Sequence, residues 1–92
     1  MTYKLEFHAA ALKEWRKLGA TVKEQFKKKL VERLETPHVA GDRIAPNRYK
    51  IKLKASGYRL VYEVIDERVM VYVLAIDKRE RLAAYVKAEG RA

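Results

Sequence analysis

Lys50, Lys52 and Lys54 stand at alternate positions, with Tyr49, Ile51 and Leu53 between them. Side chains of an extended chain point to opposite faces in turn, so the three ammonium groups share one face and the three apolar groups the other. Past a Ser56-Gly57 turn, Arg59 alternates out of phase with Tyr58 and Leu60 and falls on the lysine face. A second basic cluster, Lys78-Arg79-Glu80-Arg81, follows the apolar run from Val69 to Ile76. Tyr85 comes four residues after Arg81, a spacing that brings two side chains together on one helix face. A lone Lys-x-Lys-x-Lys strand reads most simply as a solvated sheet face, where lysines also block edge-to-edge pairing. With Arg59 and the second cluster added, the set suits cleavage of a phosphodiester without a metal. RNA carries its own nucleophile in the 2′-hydroxyl, which needs a base, cations on the phosphate and a donor for the leaving 5′-oxygen. Crowding among cations disfavours the charged form of a lysine and prepares it as a base. Arginine offers a rigid donor fork for phosphate oxygens. Tyr85 has two readings: a ring stacked on a nucleobase, or a helix anchor packed on the sheet.

Composition sets the frame for that chemistry. Ninety-two residues, of which 49% are hydrophobic, make one small folded domain, residues 1–92, with little surface left over for a second module. Twenty-one Lys+Arg against twelve Asp+Glu leave a net charge of +9, a field that draws polyanions. Nucleic acid is the first partner to expect and an anionic membrane the second; a basic surface with no specific partner is the plain alternative. No cysteine is present, which excludes disulfides and thiolate zinc sites and fits a reducing cytoplasm. The start of the chain lacks the apolar run of a secretory signal, and Val69 to Ile76 is too short to span a bilayer. There is neither a glycine-rich phosphate loop nor a G-x-S-x-G. His8 and His38 lack metal-ligand spacing and read as ordinary surface or packing residues, and the acidic residues are scattered rather than clustered as two-metal nucleases need. No metal and no cofactor are expected.

The elements that must position the cations follow from periodicity. Tyr3 to Phe7 alternates as a half-buried strand. Ala9 to Leu18 reads as a helix with Leu12, Trp15 and Leu18 roughly on one face and Gly19 as its stop. Thr21-Val22-Lys23-Glu24 has the form of a capping box opening a second helix. Val22, Phe26, Leu30 and Leu34 recur along it until Thr36-Pro37. His38 to Arg48 reads as a mobile loop. Tyr49 to Lys54, Tyr58 to Ile65 and Arg68 to Ile76 form an antiparallel meander, the last strand central and covered on both faces. Glu80 to Ala88 makes a C-terminal helix. The order β-α-α-β-β-β-α predicts an α/β (α+β) domain, its helical hairpin and C-terminal helix packed on one face of a mostly antiparallel four-stranded sheet.

These residues also form a familiar pattern. Ala11-Leu12-Lys13-Glu14-Trp15-Arg16-Lys17-Leu18-Gly19 and Glu24-Gln25-Phe26-Lys27-Lys28-Lys29-Leu30 resemble the helices of RelE toxins. Tyr49-Lys50-Ile51-Lys52-Leu53 with Gly57-Tyr58-Arg59-Leu60-Val61-Tyr62 resembles that family's most distinctive block, and Lys78-Arg79-Glu80-Arg81 with Tyr85 its C-terminal signature. The resemblance covers nearly the whole chain and is weakest at residues 38–48. It implies the RelE-like microbial ribonuclease fold and a toxin that enters the ribosomal A site and cuts the mRNA codon there. Cleavage would be metal-independent, by 2′-hydroxyl attack leaving a 2′,3′-cyclic phosphate. By position it implies Lys52 as general base, Lys50 and Arg59 as stabilisers of the charged phosphate, and Arg79 as general acid or leaving-group stabiliser. Tyr85 would stack on and orient a base, and Lys54, Lys78 and Arg81 would be auxiliary RNA-binding cations. The implied partners are an acidic RelB-like antitoxin and the 70S ribosome with its small-subunit rRNA and mRNA. This chain departs from the pattern at Asp77, where many relatives carry glycine, and before Tyr49, where a Leu-x-Gly pattern is common.

Two other functions compete. A ParE-like toxin would bind gyrase without enzymatic action, but such relatives generally lack the joint Lys50, Lys52, Arg59, Arg79 and Tyr85 set that this chain has. An inert basic RNA- or ribosome-binding module fits the charge equally well, and a cleavage assay separates it.

Overall fold

The computed structural model describes residues 2–78 and 83–91, with the backbone alone at 83–85. Chain order is β1 (Lys4–Phe7), α1 (Ala9–Arg16), α2 (Ala20–Glu35), β2 (Arg43–Ala45), β3 (Arg48–Lys52), β4 (Arg59–Ile65), β5 (Met70–Asp77) and α3 (Ala83–Arg91). The sheet runs β1-β5-β4-β3-β2, with β1 parallel to β5 and every other pair antiparallel. The α+β class and the helical hairpin are as the periodicity predicts, and the sheet has five strands rather than four.

The fifth strand lies inside the segment read as a mobile loop. Residues Ala40–Asp42 make a short 3-10 turn and Arg43–Ala45 pair with β3, so the segment is not structureless. Three residues are too few to show a period of two, which is why the strand has no signature in the sequence. Asn47 at φ 63° turns the chain back into β3. β5 is an interior strand, but β4 is the central one, and β5 begins at Met70 because Asp66–Arg68 form a 3-10 turn closed by Val69.

The core accounts for the helix patterns. Phe26 and Leu30 of α2 are buried against Ile51, Leu60, Tyr62, Val64, Val71 and Val73, with Trp15, Val22 and Leu34 packed around them. The capping box does not form. The helix starts one residue before Thr21, at Ala20, with Gly19 extended in front of it and no side-chain cap. The threonine is already helical and its hydroxyl is not placed to close the first turn. On α1 the cap is His8, whose Nδ1 accepts from the backbone N–H of Ala10 at 3.1 Å.

A second apolar cluster, Val61, Leu74, Ala75 and Ala88, lies on the other side of the sheet. Val61 alternates with Leu60 and Tyr62, so it points away from α1 and α2. The expectation that all helices share one face is therefore corrected: α3 covers the opposite face. A bulge between Val61 and Tyr62 of β4 and the facing Ala75 and Val73 leaves Leu74 as an extra residue. Leu74 and Ala75 are both buried in the cluster beneath α3.

Among the described residues no helix is long and apolar enough to cross a membrane.

Candidate active site

Sheet register assembles the cations. Lys52 is paired with Arg59, Arg59 with Asp77, and Lys50 with Val61. Directly opposite residues share a face with Cβ atoms about 5 Å apart. Lys52, Arg59 and Asp77 thus form a row across β3, β4 and β5 at one end of the sheet, with Lys50 one step behind. The row lies on the face that carries Val61, the side of the sheet on which α3 packs. Lys52 is exposed, while Lys50 and Arg59 are half-buried. Antiparallel pairing is what brings Lys52 and Arg59 together, because the β3–β4 turn folds one onto the other. Gly57 at φ 80° makes that turn possible; its N–H donates to Leu53 O at 2.8 Å.

The other predicted site residues are placed differently. β3 ends at Lys52, so Lys54 belongs to the following turn rather than to the strand face. It still joins Lys52 in lining a groove of about 510 Å³ whose far wall is Gln25, Lys28, Lys29 and Glu32 of α2. Lys78 lies with its Nζ 5.6 Å from the centroid of the Tyr58 ring. Tyr58 and Arg59 alternate, so Lys78 is over the face opposite the cation row. Arg79, Arg81 and Glu80 lie outside the described residues. Tyr85 is in α3, and its side chain is outside the description.

Two supporting networks were missed in the sequence. Arg33 of α2 donates from Nη1 to the carbonyl of Lys50 at 3.1 Å and to Tyr62 Oη at 2.9 Å, and from Nη2 to Asp42. Tyr62 in turn donates to Pro37 O at 2.8 Å. Burial pushes the Tyr62 phenol above its ordinary pKa, against the opposing pull of Arg33. Arg33 thereby fixes the β3 backbone at the residue that carries one of the row's lysines.

The second network joins α3 to the sheet. β1 pairs only with Met70–Val73, so the rest of that β5 edge is bare. Glu14 of α1 fills it, accepting from Ile76 N at 3.0 Å, Lys87 Nζ at 2.8 Å and Arg91 Nη1 at 2.9 Å. Arg91 also donates to the carbonyl of Leu74, the bulge residue, at 3.0 Å. Burial alone would raise the Glu14 pKa, but hydrogen bonds from Arg91, Lys87 and Ile76 outweigh it and hold the carboxyl below its ordinary value. Lys87 also meets Asp77 at 2.7 Å. Burial disfavours its charge, and the two carboxylates more than restore it, raising its pKa. The non-glycine residue at 77 thus faces α3 as well as the row. In the sequence Glu14 shows only as a polar residue off the apolar face of α1; partners more than sixty positions away leave no local signal.

The two histidines have structural partners. His8 caps α1, and His38 pairs with Asp66 at 3.1 Å, beside the rings of Tyr3 and Tyr49. Tyr3 donates to Asp66 at 2.7 Å, and this bond, with His38, holds the aspartate below its ordinary pKa.

Fold and site define a class: a small basic α+β protein whose antiparallel strands display a cation row at one end of the sheet, flanked by a C-terminal helix. The family model for the ParE toxin of type II toxin–antitoxin systems, parDE, matches residues 5–83. The mRNA interferase toxin RelE of Escherichia coli (strain K12) is 57% identical over 93 residues, covering 99% of this chain and 98% of the relative. A structure of a mutant E. coli RelE toxin in the free state superposes with a TM-score of 0.91 at 55% identity, covering 99% of this chain and 98% of that one. The intact E. coli RelBE toxin–antitoxin complex matches with a TM-score of 0.82 at 59% identity, over 86% of this chain and 99% of that one. The chain belongs to this toxin family and is a RelE-type member of it.

Proposed function

We propose that this chain is the toxin of a type II toxin–antitoxin pair and acts as a ribosome-dependent endoribonuclease on mRNA. It works in the cytoplasm, cuts the codon in the ribosomal A site, and is neutralised by a RelB-like antitoxin. The row Lys52–Arg59, with Lys50 behind it, carries this reading. It presents one exposed amine and two half-buried cations on one face of two paired strands, where a single phosphodiester can meet them together.

In the proposed reaction Lys52 takes the proton of the 2′-hydroxyl. The oxygen attacks the adjacent phosphorus, and Lys50 and Arg59 hold the charge that gathers on the phosphoryl oxygens. The 5′-oxygen leaves with electrostatic help from Arg79, since arginine stays protonated and serves better as a cation than as a proton donor. The oxygen takes its proton from solvent water as the P–O bond breaks, while Lys52 returns the 2′-hydroxyl proton to solvent. The products are a 2′,3′-cyclic phosphate and a 5′-hydroxyl. Tyr85, on the helix held by Glu14, stacks on a base and orients the strand. The ribosome supplies the bent, in-line geometry that free RNA adopts rarely.

The test is cleavage of mRNA programmed on purified ribosomes, with the same RNA run free. A single cut inside the A-site codon, absent from free RNA and bearing a cyclic phosphate end, is the expected result. Ribosome binding without a cut would mark an inert module. Neither binding nor cutting, with inhibition of gyrase supercoiling, would place the chain with the gyrase-directed toxins.

A further inference from the structure

We propose that Arg33 of α2 is a positioning residue for cleavage, acting through Lys50, whose main chain it holds at the open edge of β3; this role rests on the reaction given above.

Strand pairing leaves a gap at this point. In an antiparallel ladder successive residues send their N–H and C=O groups to opposite neighbours. Leu53 N donates to Tyr58 O, so Tyr49, Ile51 and Leu53 bond towards β4, and Lys50 directs its main-chain groups the other way, towards β2. β2 does not reach it: its pairing with β3 covers Arg48 and Tyr49 alone and is irregular between Arg43 and Ala45. Arg33 takes the place of a strand there, its Nη1 donating to the Lys50 carbonyl at 3.1 Å.

The guanidinium is itself fixed. The Arg33 side chain is 13% exposed. Nη1 also donates to Tyr62 Oη at 2.9 Å and Nη2 to Asp42, and the guanidinium carbon lies 5.8 Å from the Tyr62 ring centroid. Tyr62 donates to Pro37 O and stacks on Tyr49, the residue before Lys50, with ring centroids 5.7 Å apart. Arg33 thus ties α2, the Pro37–Asp42 segment and β4 to one carbonyl of β3. All these contacts lie on the Tyr62 face, whereas the Lys50 side chain leaves from the opposite face with Val61. RNA lying on the cation row therefore does not meet Arg33. Its influence runs through the Lys50 main chain, whose dihedral angles aim the ammonium at the phosphate. With methionine at position 33 the peptide after Lys50 loses this anchor, and a displacement of about 1 Å at a reacting centre can cost as much as ~100-fold in rate.

The experiment is a cycle of wild type, Arg33→Met, Lys50→Ala and the double variant. Each is assayed for single-turnover cleavage on saturating mRNA-programmed ribosomes and for ribosome affinity, at a temperature where its melting curve shows it folded. Arg33→Met is expected to slow saturated cleavage roughly tenfold. Ribosome affinity should stay at the wild-type value, because the guanidinium is buried away from the row. In the Lys50→Ala background no amine is left to aim, and the same change should alter the rate by less than about twofold, the margin within which such cycles are read. An equal loss in both backgrounds would overturn the proposal and make Arg33 a tie that serves stability alone. A wild-type rate in Arg33→Met would overturn it as well, as would weakened ribosome affinity with an unchanged saturated rate. If Arg33→Met does not fold, Arg33→Lys goes through the same cycle with the same outcomes, since lysine keeps a charge for Asp42 but ends in one ammonium instead of a two-nitrogen fork. Lys50→Ala that cuts at the wild-type rate would remove the role of Lys50 and that of Arg33 with it. Wild type that binds ribosomes without cutting would overturn the reaction itself.

Discussion

Glu14→Gln tests the joint that holds the C-terminal helix. The carboxylate is 20% exposed and takes hydrogen bonds from Ile76 N, Lys87 and both terminal nitrogens of Arg91. Glutamine keeps a carbonyl for Ile76 but removes the charge, leaving Lys87 to Asp77 and Arg91 to Leu74 O. A hydrogen bond to a charged group contributes about 1.5–3 kcal/mol, and removing one partner of a part-buried pair costs more than the pair's net worth. Lys87, 38% exposed, is screened by water and adds little beyond this. A loss of roughly 2 kcal/mol is expected, mostly from Arg91. In a domain of this size that lowers the melting temperature by about 8–16 °C. The assay is thermal and urea unfolding of wild type, Glu14→Gln, Arg91→Ala and the double variant, with a coupling energy of about 1–2 kcal/mol expected between the two sites. The pH dependence adds a second readout. The carboxyl is held below its ordinary pKa in the folded chain, so on acidification the unfolded chain takes up the proton first. The stabilisation is full above the unfolded value of about 4.3 and is lost as pH falls through the folded value. The gap between wild type and Glu14→Gln must therefore close in acid. A variant within 0.5 kcal/mol of wild type, or additive with Arg91→Ala, or parallel to wild type down to acid pH, would refute the joint.

Further outcomes are expected elsewhere. Lys52→Ala and Arg79→Ala should each abolish cleavage and toxicity while the melting curve stays close to that of wild type; retained toxicity with both changed would sink the site assignment. Leu30→Asp buries a charge in the α2 interface, where the leucine is 2% exposed, and should cost about 4–5 kcal/mol, enough to unfold most of the population in far-ultraviolet dichroism. Arg33→Met should lower stability in urea by about 2 kcal/mol, because Asp42 and Tyr62 lose a charged partner. Asp77→Gly should lose about 1 kcal/mol through the missing Lys87 pair and the freed backbone, with little change in cleavage rate; a large rise in rate would show that the carboxylate opposes the cation row.

Much of this protein could be read from periodicity alone. Apolar residues every fourth position made α2, and the strict alternation from Tyr49 to Lys52 placed Lys50 and Lys52 on one face, because local geometry turns spacing into sidedness. Alternation past the Ser56-Gly57 turn put Arg59 on the same face, and the register agrees; that it stands directly opposite Lys52 is shown by the strand pairing alone. Periodicity tells which face of an element is buried but not what buries it. Nothing in Lys4–Phe7 announces a parallel partner more than sixty residues away, and nothing in the C-terminal segment says that its helix takes the face opposite α1 and α2. The three-residue β2 was too short for its period to show, and Gly19 displaced Thr21 from the cap because helix ends follow the packing of the hairpin. Glu14 looked like one more solvent-facing charge on α1. Only the fold, by stopping β1 short and leaving the Ile76 N–H bare, gave that carboxylate a buried donor and made it the point where α1, β5 and α3 meet.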